Sequence, residues 1–224
     1  MIEDIDANVA IAELRSEIYG FIVSVINTLP DKLLLNRIKE KEILEFIICL
    51  QLLENEKITE GSVLIKNYIS KKNTYNEVTH LGVDRTRLFR AYGVDSFLAP
   101  NESNYHNEFK DEDCTNKVML RVVDFYRKAG VLPAADCTES PDFLSVELDF
   151  MRILCEKERM QWLENKEASS MISLEQNFLT QHLCQWVKSY CGAALKIAKT
   201  DFYKGLILLV AGIVEVDEYN LVVK

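Results

Sequence analysis

A chain of 224 residues, 48% of them hydrophobic, can bury a sizeable core without disulfide or metal staples, and suits one large domain or two closely packed lobes. The formal charge of −9 argues against a nucleic-acid binder, which needs clustered Lys and Arg to release counterions from phosphates. Six cysteines without a CxxC pair, an acidic start (Met1 to Asp6) where a signal peptide would be basic, and no apolar run of about 18 residues predict a cytoplasmic protein with reduced thiols and no membrane insertion.

Apolar periodicity near 3.6 predicts the first helices. Ile18, Ile22, Val25, Ile26 and Leu29 make one face, and Ile43, Phe46, Ile47, Leu50 and Leu53 make another after the break at Pro30 and Asp31. A shorter amphipathic piece covers 62–70, and a further helix covers 84–92, stopped near Gly93. From 94 to 115 the chain turns irregular, with Pro100, three asparagines and an acidic run, and is long enough to carry function.

Helical pattern resumes near Asn116, with Val118, Val122, Phe125, Tyr126 and Ala129 on one side and Gly130 as the C-terminal stop. The linker 131–139, which holds Pro133, is a hinge candidate between an N-terminal lobe, 1–130, and a C-terminal lobe, 140–224. Such a linker leaves both a monomer and a domain-swapped dimer open. A central helix then begins under Ser140 as cap, with Pro141 at the first helical position and Asp142 against the positive helix end. Its two apolar stripes are Leu144, Leu148, Met151 and Cys155, and Phe143, Val146, Phe150 and Leu154. Two more helices cover 173–190 and 201–216, and Leu221 to Val223 is the one candidate strand. The expected fold class is all-α, a globule of roughly nine or ten helices.

The sequence holds no GxxxxGK[ST], GxGxxG, HExxH or GxSxG, so the usual catalytic signatures are missing. His182, flanked at helical spacing by Phe178 and Trp186, reads as a satisfied core histidine, and no zinc-ligand spacing surrounds it. Glu147 lies on an otherwise dry surface one turn from Phe143, so it must pair with a neighbouring helix or stand at a groove lip to meet a guanidinium. Asp142 divides in the same way, between capping and recognition. The aromatics Phe89, Tyr92 and Tyr105 border the irregular loop, as groove-lining or loop-anchoring residues do.

Two blocks of the chain resemble the TorD/DmsD/NarJ-like family of redox-enzyme maturation chaperones. The first is Arg87-Leu88-Phe89 followed by Pro100-Asn101-Glu102-Ser103-Asn104-Tyr105, similar to that family's LF run and PxESxY loop. The second is Glu139-Ser140-Pro141-Asp142-Phe143-Leu144 with Glu147-Leu148-Asp149-Phe150-Met151, similar to its ExPDH and ELxFM patterns. Phe178-Leu179 with His182-Leu183 and Trp186, and then Phe202-Tyr203, resemble its later FLxxHLxxW and FY elements. One departure is clear: Phe143 stands where many members have histidine, which removes a titrating side chain and leaves an apolar one.

The resemblance implies a TorD-like, all-helical cytoplasmic chaperone that binds the twin-arginine signal peptide, the body, or both, of a molybdopterin oxidoreductase catalytic subunit. Export would wait for cofactor insertion, and the chaperone itself would hold no cofactor or metal and catalyse nothing. A groove lined by Leu88, Phe89, Tyr92 and Phe143, with Asp142 or Glu147 at its edge and with Pro100, Glu102, Ser103, Tyr105 and Pro141 beside it, would match an apolar segment next to two arginines. Two other classes fit less well. One is a helical adaptor or scaffold using the same groove for another partner helix. The other is a small nucleotide-binding enzyme, disfavoured because the eight glycines are scattered singly, with no phosphate-cradling loop.

Overall fold

The computed structural model describes residues 2–71, 76–90, 99–106, 112–132, 137–164 and 166–223. They form α1 (Ile2–Asn27), α2 (Lys32–Arg37), α3 (Lys41–Cys49), α4 (Glu56–Ile69), α5 (Glu77–Phe89), α6 (Glu112–Lys128), α7 (Leu144–Leu163), α8 (Ser169–Phe178), α9 (Cys184–Ile197) and α10 (Asp201–Asp217). Among the described residues there is no strand, so the expected all-α class is what forms, with one isolated antiparallel bridge between Asn101 and Phe143. None of these helices is long and apolar enough to cross a membrane. The described cysteines Cys49, Cys137, Cys155, Cys184 and Cys191 are free thiols.

Contacts divide the chain into two compact units, and each draws on distant segments. Unit 1 takes 1–24, 101–186 and 217–224, and unit 2 takes 25–100 and 187–216. The lobes expected from sequence, 1–130 and 140–224, do not coincide with these units: both flanks of the linker 131–139 lie in unit 1. Of that linker, 133–136 falls outside the described residues, and 131, 132 and 137–139 are not helical.

Unit 2 is organised on α10, whose residues from Gly205 to Val214 are all buried. Two glycines let α4 lie against it: a Cβ on Gly61 would stand 2.7 Å from the Gly205 carbonyl oxygen, and one on Gly205 would stand 2.6 Å from that of Gly61. Asn55 caps α4 by accepting from the amides of Lys57 and Ile58. The start of α10 is held from α5, where buried Asp84 accepts from the Lys199 and Thr200 amides and from the Thr200 hydroxyl at 2.7–3.1 Å.

Unit 1 is organised on α7, which buries Leu144, Leu148, Phe150, Met151, Leu154 and Cys155 as its two stripes predict, while Val146 stays half-buried. Gly130, at φ +64, ends α6 as predicted: its amide donates to Arg127 O and that of Val131 to Tyr126 O, the paired bonds of a Schellman stop.

Several boundaries differ from the sequence reading: the helices expected at 62–70 and 84–92 begin earlier, α4 at Glu56 under the Asn55 cap and α5 at Glu77, and α5 ends at Phe89. The central helix starts at Leu144, three residues after Pro141, with Phe143 rather than Ser140 in the cap position. Ser140 and Asp142 are taken by the loop described below, so their capping chemistry is spent on each other, on the Asn101 side chain and on the Ser103 amide instead of on helix amides. α6 starts at Glu112, inside the stretch expected to be irregular. The predicted 173–190 helix is part of a longer run in which α8 and α9 are joined by a π-helical turn, Leu179–Leu183. The candidate strand 221–223 belongs to a second π-helical turn, Glu218–Val223, so local β-propensity loses to continuation of α10.

Candidate functional site

The loop 101–106 and the approach to α7 are stitched together in unit 1 by short polar side chains and backbone. Glu102 N donates to Asp142 O at 2.9 Å, closing the bridge between Asn101 and Phe143. Both carboxylate oxygens of Asp142, which is 1% exposed, are engaged: Oδ2 accepts from the Ser103 amide at 3.1 Å, and Oδ1 accepts from Ser140 Oγ at 2.7 Å and Asn101 Nδ2 at 3.3 Å. Tyr126 on α6 donates to the Pro141 carbonyl at 2.7 Å, so the Pro141-Asp142 step is fixed from both sides.

Glu102 occupies the centre of a second layer. Its Oε1 lies 2.7 Å from His106 Nε2, and its Oε2 lies 2.7 Å from Nδ1 of the buried His182. The His182 ring stacks on Phe178 and meets Phe125 edge-on, each centroid 5.0 Å away, which bears out the satisfied core histidine of the sequence reading. This ring is carried by the π turn. The widened turn lets Gln185 Nε2 reach back five residues to the Thr180 carbonyl at 2.7 Å.

Glu147, fully buried, accepts from Trp186 Nε1 at 3.1 Å; of the two readings open to it, pairing with a neighbouring helix is the one found. Burial first, and then the nearby Glu102 charge, push its carboxyl well above the usual range, only partly opposed by the Trp186 bond. Fully buried and bonded to Trp186, it does not stand at a groove lip. Burial, and then the charges of Glu147, Asp142 and Glu102, push the Tyr126 phenol up as well.

The predicted site residues thus separate. Glu102, Asp142, Phe143 and Glu147 are buried, and Ser103, Tyr105 and Pro141 are half-buried at the edge of the same cluster, where the Tyr105 ring lies 5.5 Å from that of Trp186. Leu88 and Phe89 are interior to unit 2: Leu88 O accepts from the Tyr190 hydroxyl, and Phe89 packs edge-on against Tyr203. Pro100 is buried in unit 2, and Tyr92 lies outside the described residues. Sequence reasoning did not single out Tyr126 or Ser140 as site residues; the signal for Ser140 was its place beside Pro141-Asp142, but Tyr126 is brought in by tertiary packing alone. Among the described residues no cluster of His, Cys, Asp and Glu could hold a metal ion.

The profile of the family described as nitrate reductase delta subunit matches residues 54–192. The chain is also similar to the perchlorate reductase assembly chaperone protein of Dechloromonas aromatica (strain RCB), at 25% identity over 124 residues, 55% of this chain and 55% of that one. It thus spans about half the length of the curated relative it matches. No solved structure matches it. The profile match takes in the loop, the approach to α7, and the π turn with His182 and Trp186, and covers more than half of the chain: it belongs to the nitrate reductase delta subunit family, of the NarJ/TorD-type redox-enzyme maturation chaperones.

Proposed function

We propose that the chain is a cytoplasmic assembly chaperone for the catalytic subunit of a molybdopterin-dependent oxidoreductase, binding that subunit's twin-arginine signal peptide, its body, or both, and delaying export until the cofactor is in place. The observation that carries this reading is the cluster in unit 1, where the loop 101–105 of the first motif block is locked to the second block through Asp142 and to the later motif residue His182 through Glu102. The name of the similar perchlorate reductase protein supports it. Buried Glu102, Asp142, Phe143 and Glu147 hold the loop in shape, and Ser103, Tyr105 and Pro141 present its accessible edge to the peptide. The charge of −9 favours approach of a cationic segment at long range. The protein acts by binding and release, with no cofactor of its own and no turnover.

Two measurements test this. Co-expression with a molybdopterin oxidoreductase catalytic subunit from the same genome should yield a complex on purification, and calorimetry should show saturable binding of that subunit's Arg-Arg peptide, weaker for a Lys-Lys version because lysine cannot make the bidentate contacts of guanidinium. Tyr105→Ala should weaken the peptide while leaving the melting temperature within a few degrees, about the effect of 1 kcal/mol or less. Absence of both the complex and peptide binding would sink the reading.

A further inference from the structure

Beside the motif loop, unit 1 has a cleft of about 430 Å³ between α6 and the π turn, of a size that takes a small ligand or two to three side chains. α6 lines it with Arg121, Asp124, Phe125 and Lys128, and the opposite wall carries His182 and Gln185. Lys128 Nζ stands 5.1 Å above the Phe125 ring, and neither Lys128 nor Arg121 has a carboxylate partner among the described residues. His182 is only 2% exposed, and its Nδ1 is committed to Glu102. Nε2, with no hydrogen bond among the described residues, is the ring atom left for the cleft.

We infer that this cleft is a second binding site, for a singly charged carboxylate, in which Arg121 and Lys128 supply the attraction and His182 Nε2 is the buried group that selects it. The charge count sets the class. Arg121, Lys128 and the protonated ring that meets the ligand, set against Asp124 and the Glu102 carboxylate behind that ring, leave one net positive charge, which suits a carboxylate better than a phosphate dianion. Ligand binding brings a proton to the ring: once Nε2 carries one, the ring donates from Nδ1 to Glu102 and from Nε2 to the ligand. The π turn carries His182 on the cleft wall, and Gln185 follows three residues later on the same wall. A ligand there bears on the loop through the Glu102 bond, so the site would report occupancy to residues 101–106. The inference stands whether or not the chain binds a signal peptide.

The carboxylate could belong to a protein segment or to a free small acid, and the probes separate them. The ring resonances of His182, identified among three histidines by their loss in His182→Gln, are followed on the full chain by NMR. Titrants are acetyl-Gly-Glu-Gly-amide, its Gln counterpart, acetate and inorganic phosphate. The expected result is a saturable shift with the Glu peptide, none with the Gln peptide, and a dissociation constant raised about tenfold in Arg121→Gln with Lys128→Gln, the scale of one lost charge-assisted bond. Both substitutions are at exposed positions, and unchanged His182 resonances in the unliganded double variant would show it to be folded. A response to acetate as strong as to the Glu peptide assigns the site to free acids, and a response to the peptide alone assigns it to a chain segment. The inference is overturned if neither carboxylate shifts His182, if the double variant responds like the parent, or if phosphate binds more tightly than both.

Discussion

Asp142 and Glu147 carry the same functional group on the approach to α7 and in its first turn, yet their environments put them to opposite uses. Asp142 accepts three hydrogen bonds and ties residues 101, 103 and 140 together, whereas Glu147, in a dry site beside Glu102, has its carboxyl pushed well above the usual range and accepts from Trp186. Asp142→Ala should therefore cost at least about 2 kcal/mol, since each bond to a charged acceptor is worth about 1.5–3 kcal/mol and the loop amide is left unpaired. Glu147→Gln should change stability by less than about 1 kcal/mol, because the amide keeps the shape of the side chain, still accepts from Trp186 and carries no charge to desolvate. Urea denaturation of both variants checks the contrast, and equal losses would contradict it. The sequence marked both residues through their motifs but could not tell these roles apart. Burial of Glu147 depends on Trp186, 39 residues away, and on Glu102 in a loop that no periodicity describes.

At the scale of elements, apolar spacing located the helices, while their ends followed rules of position. The Ser-Pro-Asp signal for a helix start is sound chemistry, but here Asn101 and Ser103 compete for the same oxygens, and the first turn waits until Leu144. The π turn was illegible because its residues, Leu179–Leu183, have ordinary helical spacing, and only its carbonyl pattern separates it from α8 and α9. Glycine shows how context decides sign. In an exposed helix Gly→Ala gains about 1 kcal/mol from propensity. Gly61→Ala should instead lose about 1–3 kcal/mol, since its Cβ would meet the Gly205 carbonyl at 2.7 Å and backbone cannot swing aside as a flexible side chain can. Gly130→Ala should lose about 1–2 kcal/mol by a different route, the left-handed backbone at φ +64, with open space around the new methyl. Thermal melts of the pair, with Gly82→Ala on α5 as the control that has room for its methyl, separate crowding from backbone strain.

For the whole molecule, the all-α class was legible because every long segment repeats at helical period, but the interleaved units were not, because contacts between distant segments define them. One buried cluster, absent from any motif, draws three helices of unit 1 and the residue Asp217 of that unit together. Arg15 on α1 donates to Asp217 on α10 at 2.8 and 3.0 Å, to Glu158 on α7 at 3.0 Å and to Glu175 on α8 at 2.5 Å, and Tyr19 adds a 2.7 Å bond to Asp217. Three carboxylates face one guanidinium. Burial outweighs the pull of Arg15 on Glu175, is reinforced by the charges of Glu158 and Asp217, and raises its carboxyl to about 8. An acid raised on folding holds a proton that the unfolded chain has already released near its ordinary value of 4.5. Its stabilisation is thus fully present below that value and is lost as pH rises to about 8, with a slope of at most about 1.4 kcal/mol per pH unit for one proton. Glu147, raised for similar reasons, contributes in the same direction. The melting temperature should fall steadily from about pH 5 to pH 8, and Glu175→Gln, which fixes the neutral form, should flatten that fall while lowering stability little at the acid end. A pH series of melts on the parent and this variant decides it: parallel curves would mean that Glu175 is already ionised in the folded chain and that Arg15 alone balances the cluster.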